Sequence, residues 1–130
     1  MKKKDIKIAL VQMISEKAAI DRNLELTKRY IAASRENGVD IICFPEMNIT
    51  GYIDPVKYPH AIITFDHMAV DEVIKLSAQY SMCIIAGFVE FNPNGKPYIT
   101  QFVAHSGKIL GFYRSWTYDR RRFPRGRIFI

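Results

Sequence analysis

The chain has 130 residues and a formal net charge of +6, enough length for one domain with its own core. Apolar residues make up 48% and charged residues 25% of the sequence, which is ordinary for a globular protein. No apolar run approaches the length that spans a membrane. Residues 1–5 are basic, but Lys7 and Gln12 interrupt the apolar stretch that follows, which is atypical of a signal peptide. We therefore expect a cytoplasmic protein.

The first elements in chain order are a predicted strand and a predicted helix. Residues 6–13 alternate, with apolar side chains on the side that ends at Gln12. Asp21 is a good N-cap for the following segment, whose apolar residues recur with a helical period. Gly38 is predicted to end that helix, because glycine tolerates the left-handed conformation of a C-terminal cap.

A second predicted strand leads directly to a carboxylate. Four apolar residues precede Pro45 and Glu46 in the segment 40–46, DIICFPE, and such a run is typical of a buried strand that stops abruptly. Strand, helix and strand within about 40 residues indicate a βαβ-like unit with parallel strands. Because α/β proteins keep their chemistry at such strand ends, Glu46 is a candidate catalytic residue. The alternative is that Glu46 is simply a surface residue.

The remaining chain predicts a helix and an antiparallel meander. Residues 69–80 have a helical period, and residues 82–90 are apolar on both faces, which is typical of a central strand. The turn signal at residues 92–95, NPNG, joins this strand to residues 98–104 as a hairpin, and a further strand follows at 109–113. The apolar run 127–130 suggests another strand.

Cysteine and histidine give no evidence of a disulfide framework or a metal site. Cys43 and Cys83 both lie in apolar strand-like runs and are expected to be buried small hydrophobic residues. The three histidines lack metal-ligand spacing. We assign no metal and no cofactor.

The positive charge is concentrated at the end of the chain. Residues 1–113 carry 13 Lys/Arg and 12 Asp/Glu, whereas residues 114–130 carry six Arg and one Asp. A basic tail can bind a polyanion, although most such runs are only solvated. Because no stacking motifs are interleaved with the arginines, we do not expect a nucleic-acid partner.

Several segments together resemble the nitrilase or carbon–nitrogen hydrolase superfamily. These are the strand 8–12 (IALVQ), Asn23 in the first helix, the segment 38–46 (GVDIICFPE), the loop 50–52 (TGY), and the segments 85–87 (IAG) and 107–114 (GKILGFYR). The resemblance covers about residues 6–114. It implies an α/β fold that forms part of an α-β-β-α sandwich, in a single domain, 1–130, that is family-like over 1–113, has a divergent Arg-rich tail at 114–130 and is apparently truncated.

The resemblance also implies a Glu-Lys-Cys mechanism. In this family a cysteine attacks an amide or nitrile carbon, a glutamate transfers protons and a lysine stabilises the developing oxyanion. Glu46 matches the glutamate and would be the general base. Tyr52, in the matching loop, would contact the substrate. The substrate would be a small amide, carbamoyl-amine or nitrile.

The lysine and cysteine of this mechanism have no counterparts here. The family lysine follows a Tyr-Arg pair, but Tyr113-Arg114 is followed by Ser115, which cannot supply positive charge. Arg114 would point to the other face of its strand. Cys43 precedes Glu46 by three residues, so strand alternation would direct the two to opposite faces, and Cys83 is expected in the core.

A second alignment treats residues 117–124, TYDRRRFP, as the family cysteine motif with one inserted residue. Thr117 then stands at the cysteine position and Arg125 at the last glutamate, and a threonine hydroxyl is a weak nucleophile without an adjacent base. Both alignments leave two catalytic roles unfilled.

Three functions therefore remain as hypotheses. The first is a carbon–nitrogen hydrolase that is inactive as an isolated chain. The second is a non-catalytic scaffold or interaction module of the same fold. The third is a polyanion binder that uses the Arg-rich tail. Unpaired strand edges and an apolar sheet face also predict a homo-oligomer.

Overall fold

The computed structural model describes residues 5–115 and the backbone of residues 126–129. Its elements in chain order are β1 (Ile8–Leu10), α1 (Ile20–Glu36), β2 (Ile41–Cys43), a short 3-10 helix (Pro59–Ala61), α2 (Met68–Gln79), β3 (Cys83–Glu90), β4 (Tyr98–His105), β5 (Lys108–Ser115) and β6 (Gly126–Phe129). Neither helix in this part of the chain has the length and hydrophobicity needed to cross a membrane.

The strands form one mixed sheet in the order β1-β2-β3-β4-β5-β6. β1, β2 and β3 are parallel, and the later strands pair antiparallel. The parallel part results from the strand–helix–strand connections, and the antiparallel part from tight turns such as residues 92–95. The predicted α/β class, the central position of β3, the hairpin and the final strand are confirmed.

Helix α1 ends where the sequence predicts, but it begins differently. The helix ends as expected, because Gly38 has a φ of +68° and the Val39 amide donates to the Ser34 carbonyl at 3.0 Å, as in a Schellman motif. The predicted N-cap is wrong. Asp21 lies inside the first turn, and Ala19 occupies the N-cap without a side-chain hydrogen bond.

The hydrophobic core lies between the two helices and one face of the sheet. Four aromatic rings meet there, from Phe65, Phe88, Phe102 and Phe112, with centroids 5.1–6.0 Å apart. Alternate residues of each strand point into this core, and the residues between them point to the opposite face. We call that opposite surface the open face.

The open face is apolar at the end formed by β1 and β2. Ile8 is 58% and Leu10 81% exposed, although both belong to the apolar side of the first predicted strand. Cys43 and Cys83 also lie there and are half-buried, so the expectation that they are buried is wrong. Each alternates with a fully buried isoleucine, Ile42 or Ile84, which turns its thiol away from the core.

Candidate functional site

Glu46 begins the turn that follows β2. The strand ends at Cys43, and residues 46–50 form the turn at the carboxyl end of the parallel strands. The Glu46 side chain is exposed. Because Glu46 belongs to a turn, strand alternation does not determine its direction relative to Cys43. Its neighbour Pro45 lines a shallow groove of about 630 Å³.

The turn has a fixed and unusual backbone. Met47 has a φ of +55°, a conformation that non-glycine residues rarely adopt, and its side chain is buried. The Gly51 amide donates to the Met47 carbonyl at 2.8 Å. A buried methionine in a left-handed conformation must be held by its surroundings, and it fixes the backbone immediately after Glu46.

Buried polar side chains fasten the turn to β3. Asn48 accepts a hydrogen bond from the Gly87 amide at 2.8 Å and donates to Thr27 Oγ1 at 3.1 Å. The Thr50 hydroxyl accepts from the Val89 amide at 3.0 Å. These bonds satisfy strand amides at the turn, so Asn48 and Thr50 position it through the backbone of the central strand.

Asn23 fastens the turn from the other side. Its side-chain amide donates to the carbonyls of Glu16 and Ile49, at 2.8 and 3.1 Å, and its oxygen accepts from the Glu16 amide at 2.8 Å. A single buried residue of α1 thus joins the loop before the helix to the turn after β2. In the sequence, Asn23 is marked only by the family resemblance.

The close approach of the turn requires a glycine in β3. A Cβ atom at Gly87 would lie 2.9 Å from the Thr100 carbonyl oxygen and 3.1 Å from the Met47 nitrogen. Real Cβ atoms essentially never come within 3.0 Å of such an atom, so any side chain here would force the β4 backbone to shift and would press against the turn.

Ser115 lies on the same side of the sheet as this turn. It is paired with Ile99, which is paired with Val89, and directly opposed residues share a face. Val89 and Ile99 pack against Met47. Ser115 is almost fully buried, and its Oγ has no hydrogen-bond partner within the described ranges. A buried, unpaired hydroxyl therefore stands where the family resemblance would put a lysine.

The Arg114 side chain lies on the opposite face of the sheet from Ser115, as strand alternation predicts. Its Nε and Nη2 donate to the two carboxylate oxygens of Glu90 at 2.6 and 2.5 Å, and the Thr100 hydroxyl donates to the same carboxylate at 2.7 Å. The guanidinium also lies 4.7 Å from the centroid of the Phe112 ring. The hydrogen bonds with Glu90 raise the pKa of Arg114, which keeps the guanidinium charged in this pair.

Tyr52 lines a different cleft. This cleft of about 660 Å³ lies between the loop after the turn and the β3–β4 hairpin, and neither Glu46 nor Ser115 lines it. Among the candidate residues, the structure thus brings Ser115 beneath the Glu46 turn and leaves Tyr52 in the neighbouring cleft. Thr117 and Arg125 lie outside the described residues.

Among the described residues, the Cys83 thiol is poorly suited to act as a nucleophile, and no metal-binding cluster is found. Burial raises the pKa of the Cys83 thiol, which lowers its thiolate fraction at neutral pH. Within residues 5–115, no cluster of three or more His, Cys, Asp or Glu side chains could hold a metal ion.

Comparison with known families identifies the sequence pattern around this site. The model of the carbon-nitrogen hydrolase family matches residues 7–126. The chain belongs to the carbon–nitrogen hydrolase family. A comparison with curated proteins gives no match.

Solved structures of carbon–nitrogen hydrolases have a fold similar to that of this chain. An amidase from Nesterenkonia sp. is 19% identical with a TM-score of 0.73, covering 86% of this chain and 43% of its own. A carbon–nitrogen hydrolase superfamily protein from Xanthomonas campestris, with an arsenic adduct in its active site, is 16% identical with a TM-score of 0.76, covering 91% and 43%. The chain thus spans less than half the length of these structures.

Proposed function

We propose that this chain carries the glutamate part of a carbon–nitrogen hydrolase site and does not complete a catalytic cycle by itself. Glu46 is the general base of the proposal, Ser115 leaves the lysine role unfilled and Tyr52 contributes to substrate binding. The observation that supports this most is the turn 46–50, which holds an exposed carboxylate at the carboxyl end of parallel strands. The family-like range 1–113 and the divergent tail 114–130 belong to the same proposal.

The chemistry of the family gives each role a physical reason. A thiolate that attacks an amide or nitrile carbon needs a base to remove its proton, and an exposed carboxylate on a rigid turn can accept one. The oxyanion that develops needs a fixed cation. The side chain of Ser115 carries no positive charge, and the guanidinium of Arg114 is bound to Glu90 on the other face of the sheet. This is why we expect no turnover.

The proposed substrates are small amides, with carbamoyl-amines and nitriles as further members of the class. Solved relatives support amides. One is a glutamate-to-glutamine variant of the Nesterenkonia amidase, 18% identical, that shows Michael addition of acrylamide at the active-site cysteine. The proposed compartment is the cytoplasm, which agrees with two free cysteines in the chain.

Ammonia release tests the proposal. The chain is incubated with acetamide, acrylamide and propionitrile, beside Glu46→Gln and the matched surface variant Glu36→Gln. We expect ammonia at the background rate from all three proteins. Turnover by the wild type and by Glu36→Gln that is lost in Glu46→Gln would overturn the claim of incompleteness while supporting the role of Glu46.

The second candidate function is a self-associating scaffold, and the exposed open face favours it. Ile8 and Leu10 project from the edge strand, beside half-buried Ile41 and Cys43 on β2. Because these side chains are uncharged, two copies could meet there without burying an unpaired charge. The occupant we propose is a second copy of this chain.

A further inference from the structure

The cleft at the β3–β4 hairpin has the features of a ligand site in its own right. Its walls are the loop around Tyr52 and Val56 and the hairpin around Phe91, and its volume of about 660 Å³ lies within the usual range for small-molecule sites. It lies at the carboxyl end of β3, the end at which α/β sheets bind ligands.

The apolar lining of this cleft is unusually exposed. Val56 is 90% and Phe91 56% exposed, and Tyr52 is similarly accessible. Three large apolar side chains that converge on one concave surface offer an apolar group more contact area than single exposed residues do. The cleft therefore favours a ligand with an aromatic or alkyl body.

Charge adds a second requirement. Lys17 and Lys96 line the same cleft, and neither ammonium has an ion-pair or hydrogen-bond partner in the part of the chain that the structure describes. Asp54 also lines it, but one of its carboxylate oxygens accepts the Val56 amide at 2.9 Å. Two cations and one anion leave a net charge of +1, which complements a monoanion.

We infer that this cleft binds an amphipathic monocarboxylate, with the carboxylate at Lys17 and Lys96 and the apolar body against Phe91 and Val56. The inference goes beyond the proposed function, because neither Glu46 nor Ser115 contributes to the cleft. Binding here requires no catalysis, so it is independent of whether the chain turns over amides.

The test compares two probes that share a phenylpropyl body and differ in the head group, 4-phenylbutyrate with a charged carboxylate and 4-phenylbutan-1-ol with a neutral hydroxymethyl group. Amide chemical shifts of the labelled protein are followed by two-dimensional NMR as each probe is added. We expect both probes to shift the amides of the non-proline residues within 53–56 and 91–96. The acid should bind about three- to tenfold more tightly than the alcohol, and the difference should shrink as salt is raised.

Variants separate the charge from the apolar wall. In Lys17→Ser/Lys96→Ser the acid should lose its advantage over the alcohol, whereas Lys75→Ser/Lys108→Ser, which removes two lysines elsewhere, should leave it intact. Phe91→Ser should weaken both probes alike. Equal affinity for the two probes, shifts centred on Ile8 and Leu10, or no shifts up to millimolar probe would each overturn the inference.

Discussion

At the scale of single residues, the turn that presents Glu46 depends on buried polar groups that satisfy backbone amides. Asn48 is fully buried and bonds both Gly87 and Thr27. Ser115 is buried close to the same turn without a partner among the residues described. The two environments predict different responses to removal of the polar group. Removing a buried group that makes hydrogen bonds costs stability, whereas removing a buried group that makes none does not.

Asn48→Ala should lower the free energy of unfolding by about 2–3 kcal/mol, because it leaves the Gly87 amide buried and unpaired. The exposed residue Asn94 gives the matched control, and its alanine variant should change stability by less than about 0.5 kcal/mol. Urea denaturation measures both. Equal effects would show that the bonds of Asn48 do not hold the turn.

Ser115→Ala should leave stability unchanged or raise it by about 1 kcal/mol, since it removes a buried hydroxyl that has no partner among the described residues. Ser77 is equally buried, but its hydroxyl donates to the Ile74 carbonyl at 2.6 Å and accepts from the Gly107 amide at 3.0 Å. Ser77→Ala should therefore cost about 1–2 kcal/mol. Thermal unfolding compares them, and a similar loss in both would refute this assignment.

At the scale of elements, the sequence predicts those that have strong local signals. The helical period at residues 69–80 and the turn signal at 92–95 correspond to α2 and the β3–β4 hairpin, because period and turn chemistry are local properties. The start of α1 was mispredicted. The loop before that helix is held by Asn23, a tertiary interaction that no capping rule contains.

The candidate site was predictable to a similar degree. The run of apolar residues before Glu46 identified the strand end, because a short apolar run that stops at a proline indicates a buried strand without knowledge of distant contacts. The roles of Asn48 and Thr50 could not be predicted, since a polar residue in a loop gains a buried partner only when a distant strand approaches it. The alternation of Met47, Ile49 and Ile53, all buried, was the available signal that this loop lies inward.

The Glu90–Arg114 pair links β3 to β5 and gives a prediction at this scale. Arg114→Met should lower the free energy of unfolding by about 3 kcal/mol, because the buried carboxylate of Glu90 loses its cation. The double variant Glu90→Gln/Arg114→Met should recover part of that loss. Lys75→Met, which breaks an exposed pair with Asp71, should change stability far less, because water and salt screen that pair. Denaturant unfolding measures the stability of all three variants. A small loss of stability in Arg114→Met would contradict the account.

At the scale of the whole molecule, one face of the sheet is covered by helices and the other remains partly open. Exposed apolar side chains on a sheet face and an unpaired edge strand favour association. The open face is most apolar at Ile8 and Leu10, which also belong to the edge strand β1.

Self-association is therefore expected to depend on concentration and on these two residues. Sedimentation velocity should show a dimer that increases with protein concentration, and Ile8→Gln/Leu10→Gln should shift the protein towards monomer. Met68→Gln, at an equally exposed methionine on α2, should leave the distribution unchanged. A wild type that stays monomeric at high concentration, or a dimer indifferent to the β1 change, would argue against this interface.

The central claim is that the chain presents the family glutamate without a nucleophile, and a covalent probe tests it most directly. The protein is incubated with acrylamide across a range of pH, and adducts at Cys43 and Cys83 are followed by mass spectrometry, in the wild type and in Glu46→Gln. Because burial raises the pKa of the Cys83 thiol, its reaction should be slow at neutral pH and should accelerate only as the pH rises.

We predict that both cysteines react no faster than a small free thiol and that Glu46→Gln changes neither rate. A single cysteine that reacts rapidly at neutral pH, and slows in Glu46→Gln, would contradict the account.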